Sequence, residues 1–226
     1  MNTQVKICGI TRKEDARLAL DLGADYLGIN LYPKSPRSVP RSDLEALLNY
    51  VPAGKRVFVD VSTATDELED YLQYFGDAYQ LYFDLDVAIA TVAAWSGIVG
   101  RERLWLAPRV PPGEEYFPQI IMEFADTVLL DAYRPDKYGG TGETANWQQF
   151  LDWSTLYSHK RWALAGGLRP ENVRQALAET DAAMVDVASG VEAQPGIKDP
   201  VKMEAFFGAV RAHDAERARG LPDGEG

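Results

Sequence analysis

Few residues in this 226-residue chain are equipped for chemistry: a single cysteine, several aspartates that close short apolar runs, and loops rich in glycine. Cys8 ends QVKIC (4–8) and is followed at once by Gly9. A thiol there can serve as a base or nucleophile if its thiolate is favoured, and a helix expected to start at Thr11 would supply a dipole for that. The plainer reading is a small buried hydrophobe. Asp131 closes TVLLD. A carboxyl partly desolvated by apolar walls has its pKa raised and becomes an acid near neutral pH, although an N-cap or loop-ordering carboxylate would look the same. Asp60 and Asp186 also sit near the ends of apolar runs, and Asp186 precedes VASG, where it either meets a ligand or organises the loop.

Anion-binding chemistry has clearer carriers. In AGGLRPENV (165–173), Gly166 and Gly167 leave backbone N–H groups open to an anion where a helix should begin. ASGVE (188–192) offers the Ser189 hydroxyl beside Gly190, and YGGTGETANW (138–147), with Gly140 and Gly142, reads as an active-site lid or a mobile connection. LYPKSPRSV (31–39) carries Lys34 and Arg37. An arginine there suits bidentate carboxylate binding, and solvated surface charge is the plainer reading.

These residues need elements to position them. Strand candidates are QVKIC (4–8), DYLGIN (25–30), RVFVDV (56–61), AYQLYF (78–83), RLWLAP (103–108), DTVLLD (126–131), RWALA (161–165) and AMVDVA (183–188). Helical periodicity marks 12–23, 41–51, 66–76, 146–157, 171–179 and 200–213, and weakly 110–125, which Pro111, Pro112 and Pro118 interrupt. Thr11 and Ser42 suit N-caps, Gly23 and Gly76 suit C-caps, and Pro170 suits a first helical turn. Strand–helix repeats at roughly 25-residue spacing imply parallel strands with crossover helices. Near-continuous apolar strands fit a sheet buried on both faces. The expected fold is α/β, a (β/α)8 TIM barrel over 1–213 as one catalytic domain, with an open doubly wound sheet as the alternative. Residues 214–226 are expected to form a polar, disordered tail. In such a barrel reactive groups project from the C-terminal strand ends, and the loops after strands 7 and 8 hold phosphate. Cys8, Asp131 and the two glycine loops fall at those places.

Composition narrows the partners. The apolar fraction is 46% and the charged fraction 25%, as in soluble globular proteins. A net charge of −11 argues against nucleic acid, whose binding needs clustered cations. An anionic ligand would need local devices against that field. No apolar run reaches the roughly 18 residues of a membrane span, and MNTQVKICGI lacks the features of a signal peptide. A lone cysteine excludes an intramolecular disulfide and fits a cytoplasmic setting. His159 and His213 carry no metal-ligand spacing and read as surface residues. A homo-oligomer is compatible with this pattern.

VKICGITRKEDA (5–16), GADYLGINLYPKSPRSV (23–39), LLDAYRPDKYGGTGETANW (129–147), LAGGLRPENV (164–173) and VDVASGVEAQPGIKDPVKMEAF (185–206) together resemble phosphoribosylanthranilate isomerase, an enzyme family of tryptophan biosynthesis. The resemblance implies an Amadori rearrangement of a phosphorylated small molecule, N-(5′-phosphoribosyl)anthranilate, with no metal or organic cofactor. It implies Asp131 as general acid at the furanose ring oxygen and Cys8 as general base at C2′. Arg37 would hold the anthranilate carboxylate, and Gly167, Ser189 and Gly190 the phosphate. The strand 3–5 side departs from the family. AYQLYFDLD (78–86) has Tyr82 and Phe83 where VQLHG is usual, FVDVS replaces FVN around Asp60, and Pro111 and Pro112 follow strand 5 closely. Two other readings share the scaffold: a related phosphosugar isomerase, such as those of histidine biosynthesis that use aspartates at strands 1 and 5, and a non-catalytic phosphate-binding relative.

Overall fold

The eight apolar runs become eight strands: β1 (Gln4–Cys8), β2 (Tyr26–Asn30), β3 (Arg56–Val61), β4 (Ala78–Asp84), β5 (Leu104–Arg109), β6 (Thr127–Leu130), β7 (Arg161–Leu164) and β8 (Met184–Val187). Each boundary lies within one residue of the sequence expectation. All pair in parallel in chain order, and β8 returns to β1, so the sheet is closed rather than doubly wound. The computed structural model describes residues 2–114, 118–133 and 145–220.

Helices α1 (Lys13–Asp21), α2 (Arg41–Leu48), α3 (Thr65–Tyr71), α4 (Ile89–Val99), α5 (Gln119–Met122), α6 (Trp147–Leu156), α7 (Val173–Thr180) and α8 (Pro200–Gly220) alternate with the strands. Because side chains alternate along a strand, each one serves two cores. Outward residues such as Val5, Ile7, Leu81 and Phe83 pack under the helices. Inward residues such as Val57, Tyr82, Trp105 and Met184 fill the barrel. Asp25 and Asp77, each leading its strand, accept a backbone N–H from the start of the preceding one at 2.8 Å (Val5) and 2.9 Å (Arg56). These bonds seal the N-terminal end of the barrel.

The sequence missed several local details. α4 had no place among the helical patterns, because IATVAAWSGIV is apolar or small all round and shows no stripe. α5 is a single turn, as its flanking prolines dictate. Thr11 does not cap α1: the N-cap is Arg12, while Thr11 Oγ1 donates to the Gly196 carbonyl at 2.5 Å. Ser42 sits inside the first turn of α2, behind Pro40. Phe75 (φ 52°), not Gly76, takes the left-handed position after α3. Gly23 (φ 99°) does follow the C-cap of α1. Pro170 lies in a turn three residues before α7. The expected tail is helical as far as Gly220, as the last strong helix formers of α8 allow, and 221–226 lie outside the described residues. Among the described residues no helix is long and apolar enough to cross a membrane.

Candidate active site

A cleft of about 520 Å³ opens at the C-terminal ends of the strands. Cys8 from β1, Asp131 after β6, Gly166 and Gly167 after β7, and Ser189 after β8 all line it. Arg37 reaches it from the loop after β2, and Asp186 from inside β8. Most of the sequence-predicted residues therefore converge, although Gly190 is not among those that line the cleft. Gly140 and Gly142 lie outside the described residues, and Asp60 points outward, where its carboxylate accepts from Tyr71 Oη and the Val61 N–H, each at 2.8 Å.

Cys8 is 8% exposed, and burial pushes its thiol up. The expected helix dipole is not adjacent, since α1 begins five residues later at Lys13. The opposing influence is a cation that sequence reasoning overlooked. Lys6, fully buried two residues earlier on the same strand face, places its ammonium beside the thiol, and its charge favours the thiolate. The fit is close: a Cβ on Gly28 would fall 2.9 Å from both Cys8 Sγ and Lys6 Nζ. Lys6 is paired across the β1–β8 register with Asp186 at 2.8 Å. Burial lowers the lysine, but Asp186 and Cys8 outweigh it and the pKa is raised, so the ammonium persists. The period-two spacing of Lys6 and Cys8 was the signal that could have found it.

Asp131 is partly buried, and loss of solvent raises its carboxyl to about 6. Its Oδ1 accepts the Ala132 N–H at 2.7 Å, and its Oδ2 accepts the hydroxyl of Tyr82 from β4 at 2.8 Å. Of the two unusual residues on β4, Tyr82 thus enters the cleft, while Phe83 packs outward against Trp95.

Arg37 is less free than the sequence suggested. Its Nε and Nη2 donate to Glu192 at 2.9 and 2.7 Å. Glu192 belongs to a hairpin of β9 (Glu192–Gln194) and β10 (Ile197–Lys198) that no local signal announced. Lys198 completes the cluster, donating to Glu192 at 3.1 Å, to the Cys8 carbonyl at 2.5 Å and to the Ala188 carbonyl at 3.1 Å. The hairpin thereby ties the ends of β1 and β8 together and presents the terminal Nη1–Nη2 edge of Arg37 as the one left for a ligand carboxylate.

The two glycine loops are shaped for an anion. Gly166 (φ 83°) and Gly167 (φ 60°) are both left-handed, so backbone N–H groups can turn toward one point. The loop is not itself a helix start, because α7 begins only at Val173; Asn172 braces it, accepting the Arg169 N–H at 2.8 Å and donating to the Gly167 carbonyl at 3.0 Å. Ser189 opens a single 3-10 turn, Ser189–Val191. Gly190 lies so close to the Leu168 carbonyl that a side chain there would overlap it, so the two loops form one wall. Among the described residues no group of three or more His, Cys, Asp or Glu side chains is arranged to hold a metal.

The family model described as N-(5′-phosphoribosyl)anthranilate (PRA) isomerase matches residues 5–209. A relative of that name from Acinetobacter calcoaceticus is 36% identical over 223 residues, spanning 96% of this chain and all of its own. A crystal structure of monomers generated from the dimeric phosphoribosylanthranilate isomerase of Thermotoga maritima superposes with TM-score 0.76 at 32% identity, covering 93% of this chain and 99% of that one. Another PRA isomerase was solved in complex with reduced 1-(o-carboxyphenylamino)-1-deoxyribulose 5-phosphate; it superposes at 0.72 with 30% identity, over 93% and 99% of the two chains. Placed on a closed barrel whose thiol, carboxyl and glycine loops share one cleft, these matches have a single meaning: the chain belongs to the N-(5′-phosphoribosyl)anthranilate isomerase family.

Proposed function

We propose that this cleft performs the family's rearrangement of N-(5′-phosphoribosyl)anthranilate to 1-(2-carboxyphenylamino)-1-deoxyribulose 5-phosphate with Asp131 as general acid and Cys8 as general base. The observation that carries the assignment is the convergence of both groups and the two glycine loops on one cleft. Asp131 delivers its proton to the furanose ring oxygen as the C1′–O bond breaks, and the anthranilate nitrogen supplies the electron pair to give the Schiff base. The Cys8 thiolate then removes the C2′ proton. The resulting enolamine gains a proton at C1′ while its C2′ hydroxyl releases one to become the ketone, so the reaction is redox-neutral within one molecule. Gly167, Ser189 and Gly190 grip the phosphate, and Arg37 meets the anthranilate carboxylate through the edge that Glu192 leaves. Fixing both ends of the substrate holds the sugar between acid and base, and each such group contributes about 10²–10⁴-fold.

Self-association like that of the Thermotoga maritima relative and a cytoplasmic setting belong to the same proposal; light scattering and cell fractionation test them. The decisive assay follows the loss of substrate fluorescence. Cys8→Ala and Asp131→Asn should each cut kcat by about 10²-fold or more with the circular dichroism unchanged. Full turnover in either variant removes that residue from the mechanism. Binding without turnover in the unaltered chain would instead support the non-catalytic reading.

A further inference from the structure

Of the two β4 residues that depart from the family pattern, Tyr82 is, among the described residues, the side chain hydrogen-bonded to the proposed acid. We propose that the Tyr82 hydroxyl is a positioning residue that assigns the acidic proton of Asp131 to Oδ2 and stabilises the carboxylate as that proton leaves; this rests on the reading of Asp131 as the general acid.

The two oxygens of Asp131 are held differently. Oδ1 faces the Ala132 N–H at 2.7 Å, and a backbone amide can only donate. A proton on Oδ1 would meet that N–H head-on. Oδ2 faces a phenol at 2.8 Å, which can rotate and either donate or accept. Oδ2 is therefore the oxygen that can carry the proton, with the phenol accepting from it until substrate arrives. Once the proton passes to the ring oxygen, the phenol turns to donate to the new carboxylate. Its bond strengthens as charge develops, which is the condition for lowering a barrier rather than merely binding.

Tyr82 is built to stay in place and stay protonated. It is 6% exposed, hydrogen-bonded in the strand ladder beside Val61 and Ala107, and packed inside the barrel. Burial raises its pKa well above the ordinary range, with Asp131, Cys8 and Asp186 adding to the effect. Among the described residues the charged or titratable groups that face Asp131 are Tyr82 from β4, Asp186 from β8 and Lys6 from β1, with Cys8 and Arg37 across the same cleft. Of these, Tyr82 and Lys6 favour the ionised carboxyl and Asp186 opposes it, and Tyr82 is the one in direct contact.

The test is the pH profile of kcat/KM for Tyr82→Phe, an isosteric change that removes only the hydroxyl. Losing a hydrogen bond to an ionised carboxylate should weaken the acid, moving the alkaline limb upward by about one pH unit while kcat falls about 10- to 100-fold. A tyrosine with only a packing role would lower the rate without moving the limb. If Tyr82→Phe folds poorly, Tyr82→3-fluorotyrosine keeps the packing and makes a stronger donor, and the limb should move downward. An unmoved limb in a folded Tyr82→Phe, or an unmoved limb with fluorotyrosine, overturns the role of Tyr82 while leaving Asp131 as acid. An active Asp131→Asn would overturn the acid assignment itself.

Discussion

Replacing Lys6 by methionine tests the buried charge behind the thiol. The variant keeps the length and apolar stem of the side chain but leaves Asp186, only 5% exposed, as an unpaired carboxylate inside the barrel. Breaking one partner of a buried pair costs about 3–5 kcal/mol, against a total stability of about 5–15 kcal/mol. At about 2–4 °C per kcal/mol for a chain of this size, the melting temperature should fall by about 6–20 °C. A companion, Lys6→Met with Asp186→Leu, removes both charges and should recover most of that loss, since apolar replacement of a whole pair is often near neutral. Activity should not recover with it. Burial already pushes the Cys8 thiol up and Lys6 opposes this, so Lys6→Met should move the acid limb of kcat/KM to higher pH, and the double variant, which also loses the smaller, thiol-raising charge of Asp186, should move it the same way by less. Thermal denaturation and the pH–rate profile together read the two effects. An unchanged melting temperature in Lys6→Met, or recovery of full activity in the double variant, would refute the idea that this pair serves the thiol.

Two further changes probe the carboxyl and the phosphate wall. Asp131 is held above its unfolded value, from 3.8 to about 6, so folding binds its proton more tightly and native stability declines as pH rises through that interval; Asp131→Asn should therefore stabilise the protein by up to about 3 kcal/mol above pH 6 and by little below pH 4 in calorimetric melts. Melts that differ equally at both pH values would contradict it. Gly190→Ala should raise KM by about tenfold or more, because the added methyl group meets the Leu168 carbonyl and parts the two glycine loops proposed to hold the phosphate. Inorganic phosphate should protect the parent protein against heat but not this variant.

The strands were legible because a parallel sheet buried on both faces writes itself as apolar runs, and the order of those runs placed Cys8 and Asp131 at the same rim. What local patterns could not carry was the partner of each reactive group. Lys6 looks like an ordinary strand lysine until the closure of β8 onto β1 brings Asp186 beside it. Arg37 and Glu192 are 155 positions apart, and only the short β9–β10 hairpin sets Glu192 beside Lys198. Tyr82 was noticed as a departure, but its role depends on a contact across 49 positions. The expected N-cap at Thr11 failed for a related reason: it has the right chemistry for a cap, yet the Gly196 carbonyl takes its hydroxyl.

The overall charge of −11 and an anionic substrate are reconciled within the cleft. Among the described residues three cations, Lys6, Arg37 and Lys198, lie in or beside it with three carboxyls, Asp131, Asp186 and Glu192, so with Cys8 as the thiol these groups balance when Asp131 is ionised and are one positive when it is protonated. With its pKa at about 6, only about a tenth of the free enzyme holds that proton at pH 7. A substrate that brings a phosphate and a carboxylate changes the balance. Its negative charge, and the water it expels, both favour the neutral carboxyl, so binding should raise the Asp131 pKa by about one unit or more. The alkaline limb of kcat, which reports the complex, should then lie above that of kcat/KM, which reports the free enzyme. Substrate would thus recruit the proton that opens its own ring. Coincident limbs would mean that the anion's charge is absorbed entirely by Arg37 and the glycine loops before it reaches Asp131.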